Sequence, residues 1–253
     1  LSILTQVKGG SPNLDGKSFW NTEQVYRCAE GNLFMVERLL QRSFVRLLHK
    51  LKSVNEHEKK CIFDFEGKEI VVSYDYLILA IPPTQYHKIS GLSIPALPIG
   101  PVIKTLYIYG HRDWIRFSRS PNILALPQGE IWEATENRGD YFPFSEMNKN
   151  DRVLVNFYSD LKESQDIQRL CPYWTKYSYT ENWNQNPLIE GGYSYIPPGQ
   201  MKFVEYYQKS TSPYIAGEHT DPVFYGYMEG ALRSGYRVAN KILDHLFVSM
   251  KEF

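Results

Sequence analysis

The residues that could do chemistry gather near the C-terminus, where positions 215 to 243 read IAGEHTDPVFYGYMEGALRSGYRVANKIL. The short apolar run Tyr214-Ile215-Ala216 predicts a buried strand that stops at Gly217. Past a loop holding Pro222, residues Met228, Leu232, Gly235, Ala239, Ile242 and Leu246 recur at helical spacing. Small residues crowd this stretch: Gly226, Gly230, Ala231, Ser234 and Gly235. Glycine disfavours a helix, so its use here implies that something large approaches the backbone closely. Two occupants fit. One is an anion or electron-rich ring oxygen facing the free N–H groups of a helix N-terminus; the other is a tightly packed neighbouring helix. A second candidate is Lys104, set in the apolar run VIKTLYIYG. A buried lysine loses its proton or finds a partner, whereas one at a sheet edge snorkels to water.

Other chemistries are poorly supported. The histidines have no metal-ligand spacing with Asp or Glu, so no metal site is expected. No Ser-His-Asp or Cys-His arrangement can be argued. Cys28, Cys61 and Cys171 lie far apart without metal spacing and read as core or surface thiols. Formal net charge is zero, which gives no footprint for nucleic acid or an anionic membrane. No apolar run approaches the length of a membrane span, and no signal peptide is visible. Hydrophobic residues at 43% and charged residues at 22% suit a chain that buries a real core. Aromatic residues reach 15%, with 19 Tyr; core packing accounts for most of them, and an aromatic-lined site is compatible.

The elements that must position these residues follow in chain order. LSILTQVKGG opens as though in mid-helix, with an expected end at Gly9-Gly10. After a polar segment from Gly9 to Gly16, YRCAEGN leads into LFMVERLLQ, where Leu33, Val36, Leu39 and Leu40 give a helical apolar face. Residues 44 to 80 read as strands, with CIFDF and EIVVSY flanking the hairpin signal Glu66-Gly67-Lys68. Tyr76 to Ala80 is a predicted buried strand halted by Pro82-Pro83. Gly91, Pro95, Pro98, Gly100 and Pro101 mark a boundary, after which VIKTLYIYG, ILALP, IWEAT and VLVNFYS predict strands of a mixed α/β domain. Trp114 sits among them, and residues 161 to 182 carry no clear pattern. No GxGxxG stands anywhere, so the usual pyrophosphate-binding βαβ unit is absent from this chain.

AGEHT followed by GYMEGALRSG resembles the C-terminal flavin-binding segment of the flavin-dependent amine oxidases, the family of monoamine, polyamine and L-amino-acid oxidases. YRC-x-x-GN resembles the stretch where the chain of that family re-enters the FAD domain, with Glu30-Gly31 where two glycines are usual. DYLILAIPPT resembles the strand that runs toward the flavin. The resemblance spans residues 1 to about 246 but only the C-terminal half or so of a family member. It implies the α/β (mixed α+β) fold of the C-terminal part of a two-domain FAD-dependent amine oxidase. The expected divisions are 1–25, the end of a substrate-domain segment; 26–93, part of the FAD-binding domain; 94–186, the substrate-binding domain; 187–247, the C-terminal part of the FAD domain; and 248–253, a tail.

The same resemblance implies roles. Gly217, Glu218 and Met228 would lie against FAD, with the helix start favouring negative charge at N1 and C2=O of the reduced ring. Leu51 falls on the strand whose backbone meets the adenine; an ordinary core leucine is the alternative. Trp183, in ENW, matches a tryptophan near the flavin. GPVIKTLYIY places Lys104 where the family carries a lysine linked through water to flavin N5. Tyr193, in GGYSYIPPG, and Tyr227, in GYMEG, match two rings that flank the substrate amine before the flavin; each is otherwise a packed tyrosine. Family members with covalent flavin have a cysteine just before the first of these tyrosines. Gly192 stands there instead, so the FAD is expected to be noncovalent. The implied reaction oxidises an amine C–N bond to an imine by hydride transfer to flavin N5, with O2 reduced to H2O2. The implied partners are a small-molecule amine or amino acid, O2 and the N-terminal half of the same enzyme. An L-amino-acid oxidase, and a non-catalytic fragment or paralogue that binds no flavin alone, remain the alternatives.

Overall fold

The computed structural model describes residue 28 and residues 30–109, 123–126, 129–133, 152–158 and 177–251. The expected helix end at Gly9-Gly10, the start of the YRC motif, Trp114 and Cys171 lie outside these residues. The chain divides into two compact units. Among the described residues, one holds 46–100 and 188–251, and the other holds residue 28, 30–45 and 101–187.

In the first unit, β1 (Lys50–Asn55), β2 (Lys60–Phe65) and β3 (Lys68–Ser73) form an antiparallel meander. The β2–β3 hairpin closes on Glu66 and Gly67, with Phe65 opposite Lys68. Both loop residues have positive φ, 52° and 78°, as a two-residue turn matching strand twist requires. Asp64 Oδ1 accepts the Gly67 N–H at 3.0 Å and pins this turn. One face of the meander buries Val54 and Cys61 with Ile89, flanked by the half-buried Leu51, Phe63 and Leu77. A two-turn 3-10 helix at Pro83–Lys88 then leads the chain across β1, where Ser90 exchanges backbone hydrogen bonds with Lys52 and Val54. Gly91 is obligatory at this crossing: its φ is +83° and a Cβ would sit 2.0 Å from the Val54 carbonyl oxygen.

The strand expected over Tyr76 to Ala80 is present only as β4 (Ile78–Leu79), parallel to β10 (Tyr214–Ile215). Leu79 is buried and Ile78 exposed. Among the described residues this ladder has two strands and leaves Ile78 46% exposed, whereas parallel strands are normally buried on both faces. Below this pair lies α2 (Met201–Lys209), which buries Val204 and Tyr207 against Tyr86, Leu97, Ile196, Ile215 and Tyr225. The Tyr207 hydroxyl donates to the Pro95 carbonyl at 2.5 Å.

The unit ends with α3 (Met228–Lys251). Its inward side is Gly230, Ser234 and Val238, with Arg237 and Ile242 half-buried. The regular apolar series read from the sequence lies mostly on the other side: Met228, Leu232 and Leu246 are exposed. The reason is packing distance. The Phe224 carbonyl oxygen would lie 2.2 Å from a Cβ at Gly230, so the close approach occurs along the small residues rather than the large ones.

In the second unit, β5 (Ile103–Tyr109), β6 (Ile123–Leu126), β7 (Gly129–Glu133), β8 (Arg152–Tyr158) and β9 (Tyr177–Asn182) form an antiparallel sheet in the order β6-β7-β8-β5-β9. The first four coincide with strands predicted from apolar runs. The fifth, polar and aromatic, carries no such signal. β5, paired on both edges, buries Ile103, Thr105, Tyr107 and Ile108. Thr105 Oγ1 meets the Tyr158 hydroxyl at 2.7 Å and Thr180 Oγ1 at 2.9 Å, so its buried hydroxyl is satisfied. A short helix, α1 (Asn32–Leu40), buries no residue; its Leu33, Val36, Leu39 and Leu40 face are all exposed.

Candidate functional site

Five of the residues singled out from sequence converge in the first unit: Tyr193, Gly217, Glu218, Tyr227 and Met228. The convergence begins where β10 ends. Gly217, at φ +134°, turns the chain into a one-turn helix at Glu218–Thr220. A Cβ on Gly217 would lie 2.4 Å from His219 Cε1, so only glycine fits over that ring. The Gly217 N–H donates to Ser234 Oγ at 2.8 Å, and Ser234 Oγ donates to the Ala231 carbonyl, which seats the turn on α3. Arg237, one turn further along α3, donates to the Ile215 carbonyl at 2.8 Å and to Thr220 Oγ1 at 2.9 Å.

The Glu218 carboxylate points away from this turn into the gap between two loops. Oε1 accepts the Ser194 N–H at 2.9 Å; Oε2 accepts the Ser194 hydroxyl at 2.6 Å and the Gly226 N–H at 2.5 Å. Ser194 and Gly226 are the immediate neighbours of Tyr193 and Tyr227. The two tyrosines are thereby drawn to one place, and Tyr193 Cδ2 lies 3.5 Å from where a Cβ on Gly226 would stand. Both rings stay partly open to solvent, at 41% and 38% exposure. On its far side the Tyr193 loop is laced to Gly100: the Gly100 N–H donates to the Tyr193 carbonyl at 2.8 Å and the Gly192 N–H to the Gly100 carbonyl at 2.9 Å.

The Tyr227 loop has its own brace. Asp221 Oδ1 accepts the N–H groups of Val223 and Phe224 at 2.9 and 2.8 Å, while Oδ2 takes Arg233 Nε at 3.0 Å. Tyr227 then passes into α3, whose first residue, Met228, is 65% exposed. The first-turn amides of a helix have no acceptor within it, so this end of α3 presents donors beside the two rings.

Beneath the site is a buried polar group that sequence reading did not assign. The Tyr86 hydroxyl and His219 Nε2 are 2.7 Å apart, and Tyr207 packs edge-on to the imidazole with centroids 5.3 Å apart. Burial, reinforced by the Arg237 charge, depresses the His219 pKa to about 4, so the ring is neutral at neutral pH. Burial likewise pushes the Tyr86 hydroxyl far above its ordinary value, with Tyr207 and Glu218 adding to the shift.

The other candidates lie elsewhere. Leu51 belongs to β1, beside a register shift between Leu51 and Ser53, and packs in the meander's own core. Lys104 and Trp183 belong to the second unit, Lys104 near the start of β5 and Trp183 just past the end of β9. Lys104 opposes Phe157 on β8 and Glu181 on β9, and the Trp183 N–H donates to the Val102 carbonyl at 3.2 Å. Asn182 and Asn184 tie down this corner, Asn182 Oδ1 accepting from the Asn184 N–H and Asn184 Oδ1 from the Val102 N–H. Lys104 is exposed rather than enclosed among apolar residues. Its Nζ stands 5.7 Å from the Phe157 ring centroid, and partial desolvation lowers its pKa from the ordinary 10.5. Among the described residues no cluster of His, Cys, Asp and Glu could hold a metal, and no helix is long and apolar enough to cross a membrane.

Ser194, Asp221 and Arg233 were not anticipated. The only local signal was that Ser194 follows Tyr193 directly.

Comparison with known proteins sets this geometry in a family. The model for flavin-containing amine oxidoreductases matches residues 13–243. The chain is 26% identical over 263 residues to the flavin-containing amine oxidase A of Canis lupus familiaris, covering 90% of this chain and 48% of that protein. It is 27% identical over 207 residues to a probable flavin-containing monoamine oxidase A of Dictyostelium discoideum, covering 69% and 43%. The chain thus spans about half the length of the curated relatives it matches. A putrescine oxidase solved with putrescine bound shares the fold at TM-score 0.60 and 21% identity, over 84% of this chain and 51% of that one. The cyclohexylamine oxidase of Brevibacterium oxydans does so at TM-score 0.56 and 17% identity, over 78% and 48%.

Proposed function

The chain belongs to the family of flavin-containing amine oxidoreductases, FAD flavoproteins, and from that premise we propose that it forms the amine-orienting part of an FAD-dependent amine oxidase. The observation that carries the reading is the pair of half-exposed tyrosines, Tyr193 and Tyr227. They come from separate loops, and one carboxylate bonds the residues next to them, Ser194 and Gly226, near the start of α3.

The residues present fit FAD. The start of α3 offers backbone donors to an electron-rich ring edge, and two ring faces stand beside it. Gly217, Glu218, Tyr227 and Met228 would hold the ring system, with Leu51 toward the adenine and Trp183 toward the flavin. Gly192 offers no thiol, so no thioether forms at that position and the attachment is noncovalent. Residues 26–93 and 187–247 would contribute the FAD-binding domain and 94–186 the substrate domain, with 1–25 closing a substrate-domain segment. The N-terminal half of the same enzyme would supply the phosphate-binding turn.

FAD, when bound, would supply a two-electron oxidant for the carbon bearing the amine, giving an imine that water hydrolyses, with O2 as the final electron acceptor and H2O2 as its product. The chain's own part is orientation. The faces of Tyr193 and Tyr227 direct the amine and favour positive character as it builds. Lys104, its ammonium pKa lowered by desolvation, would hold the water directed at N5 and favour reoxidation.

The test is steady-state peroxide release with putrescine, benzylamine and a panel of L-amino acids, using the FAD-loaded enzyme that carries both halves. Primary amines are expected to turn over. Tyr227→Ala is expected to lower kcat/KM by roughly 10- to 100-fold, about 1.4–2.7 kcal/mol, and Tyr227→Phe much less, because the ring face survives. Flavin-loaded enzyme that releases no peroxide from amines would overturn the reading, and turnover of L-amino acids alone would replace it with an amino-acid oxidase.

A further inference from the structure

We infer that Glu218 is a positioning residue whose carboxylate sets the spacing of the Tyr193 and Tyr227 rings. The inference rests on the amine-oxidase reading above for its kinetic consequence and on geometry alone for its structural one.

Three hydrogen bonds carry it. An ionised carboxylate has about four acceptor sites and no donor. Glu218 commits three of these inward: the Ser194 N–H and hydroxyl on one side and the Gly226 N–H on the other. Each backbone donor sits next to a ring-bearing residue, so the separation of the two N–H groups across the carboxylate is transmitted through one peptide unit to each tyrosine. Ser194, at 2% exposure, is buried although Tyr193 and Tyr195 on either side of it are exposed, so its hydroxyl is turned inward to Glu218. Hydrogen bonds to a charged acceptor are the stronger kind and tolerate little change in geometry. The Tyr193 ring closes the arrangement by lying over Gly226, its Cδ2 3.5 Å from where a Cβ would stand, and the Gly226 φ of +83° suits glycine.

The residue type matters as much as its position. An amide in place of the carboxylate must turn its NH2 toward one of the two backbone N–H groups, because both oxygens face such a donor. Glu218→Gln therefore loses at least one of the two backbone bonds in either orientation of the amide. Ser194→Ala removes only the hydroxyl bond and leaves both N–H contacts in place. The two variants grade the perturbation while changing neither ring. A single remaining lone pair on Oε1 leaves room for one hydroxyl of a ligand, so a contact to the cofactor and the staple are compatible. They make different predictions.

The experiment has two readouts on the same holoenzyme. Amide hydrogen exchange over residues 190–195 and 222–227 is expected to rise together in Glu218→Gln, on the order of 10-fold, and to stay unchanged in Glu205→Gln, an exposed acid on α2. Kinetically, kcat/KM for a primary amine falls in Glu218→Gln and less in Ser194→Ala. In a Tyr193→Ala background the Ser194→Ala change costs little more, because the ring it positions is gone. Exchange in the two segments that does not rise in Glu218→Gln overturns the staple itself. Exchange that rises while kcat/KM holds, or Ser194→Ala losses that simply add to Tyr193→Ala, overturns the positioning role. Loss of FAD affinity in Glu218→Gln with both segments still protected assigns Glu218 to the cofactor instead. An enzyme inactive on amines in its wild-type form refutes the amine-oxidase reading, yet the exchange result still decides the staple.

Discussion

Acid should loosen the first unit through His219, and the size of the effect follows from its surroundings. The ring is 3% exposed, meets the Tyr86 hydroxyl at Nε2 and packs against Tyr207, with Arg237 adding a repulsive charge. Its folded-state pKa is about 4 against an ordinary value of 6.5. A proton therefore binds the unfolded chain first. Stability from this group is complete above about pH 6.5, falls as pH drops, and is fully lost below about pH 4. Linkage gives a loss of about 2 kcal/mol between pH 7 and pH 5 and about 3 kcal/mol in all. Other carboxylates also titrate in this range, so the assay is a difference. Urea unfolding of wild type and His219→Gln is followed at both pH values. The glutamine keeps a hydrogen-bonding partner for Tyr86 but takes no proton. Its stability deficit at pH 7 is expected to shrink by about 2 kcal/mol at pH 5, equivalent to roughly 4–8 °C in Tm. Parallel pH profiles for the two proteins would refute the argument, because a solvated imidazole titrates alike in both states.

Gly217→Ala should destabilise the protein by about 3 kcal/mol in urea unfolding, since it combines a φ of +134° with a Cβ 2.4 Å from His219 Cε1; a loss below about 1 kcal/mol would show that the imidazole yields freely. Lys104→Met should slow flavin reoxidation in stopped-flow by on the order of 100-fold while leaving substrate binding alone; a wild-type rate would reduce Lys104 to a strand residue. Acid precipitation of the flavin-loaded enzyme should leave the yellow colour in the supernatant, as Gly192 implies; colour in the pellet would contradict it.

What the sequence determined by itself was local chemistry. Glu66-Gly67 specified a hairpin because only residues tolerant of positive φ close a two-residue turn. The apolar runs at 103–109 and 152–158 specified strands that pair along their full length. The wording AGEHT with GYMEGALRSG pointed to the family, and the family match agrees. Each of these is written within a dozen or so consecutive residues. The tertiary structure decided whatever depends on partners distant in sequence. The apolar series along α3 did not reveal that Gly230, Ser234 and Val238 are the buried side, because that choice belongs to the Phe224 carbonyl and to the β10 turn that pack there. The apolar neighbours of Lys104 concealed its exposure, since alternation along a strand puts every second side chain on the other face. The polar strand β9 became legible only beside β5, whose unpaired edge it completes. Above all, the Glu218 carboxylate reaches back 24 residues to Ser194 and forward eight to Gly226. A hydrogen bond acts over about 3 Å, and sequence distance carries no record of it until the chain has folded.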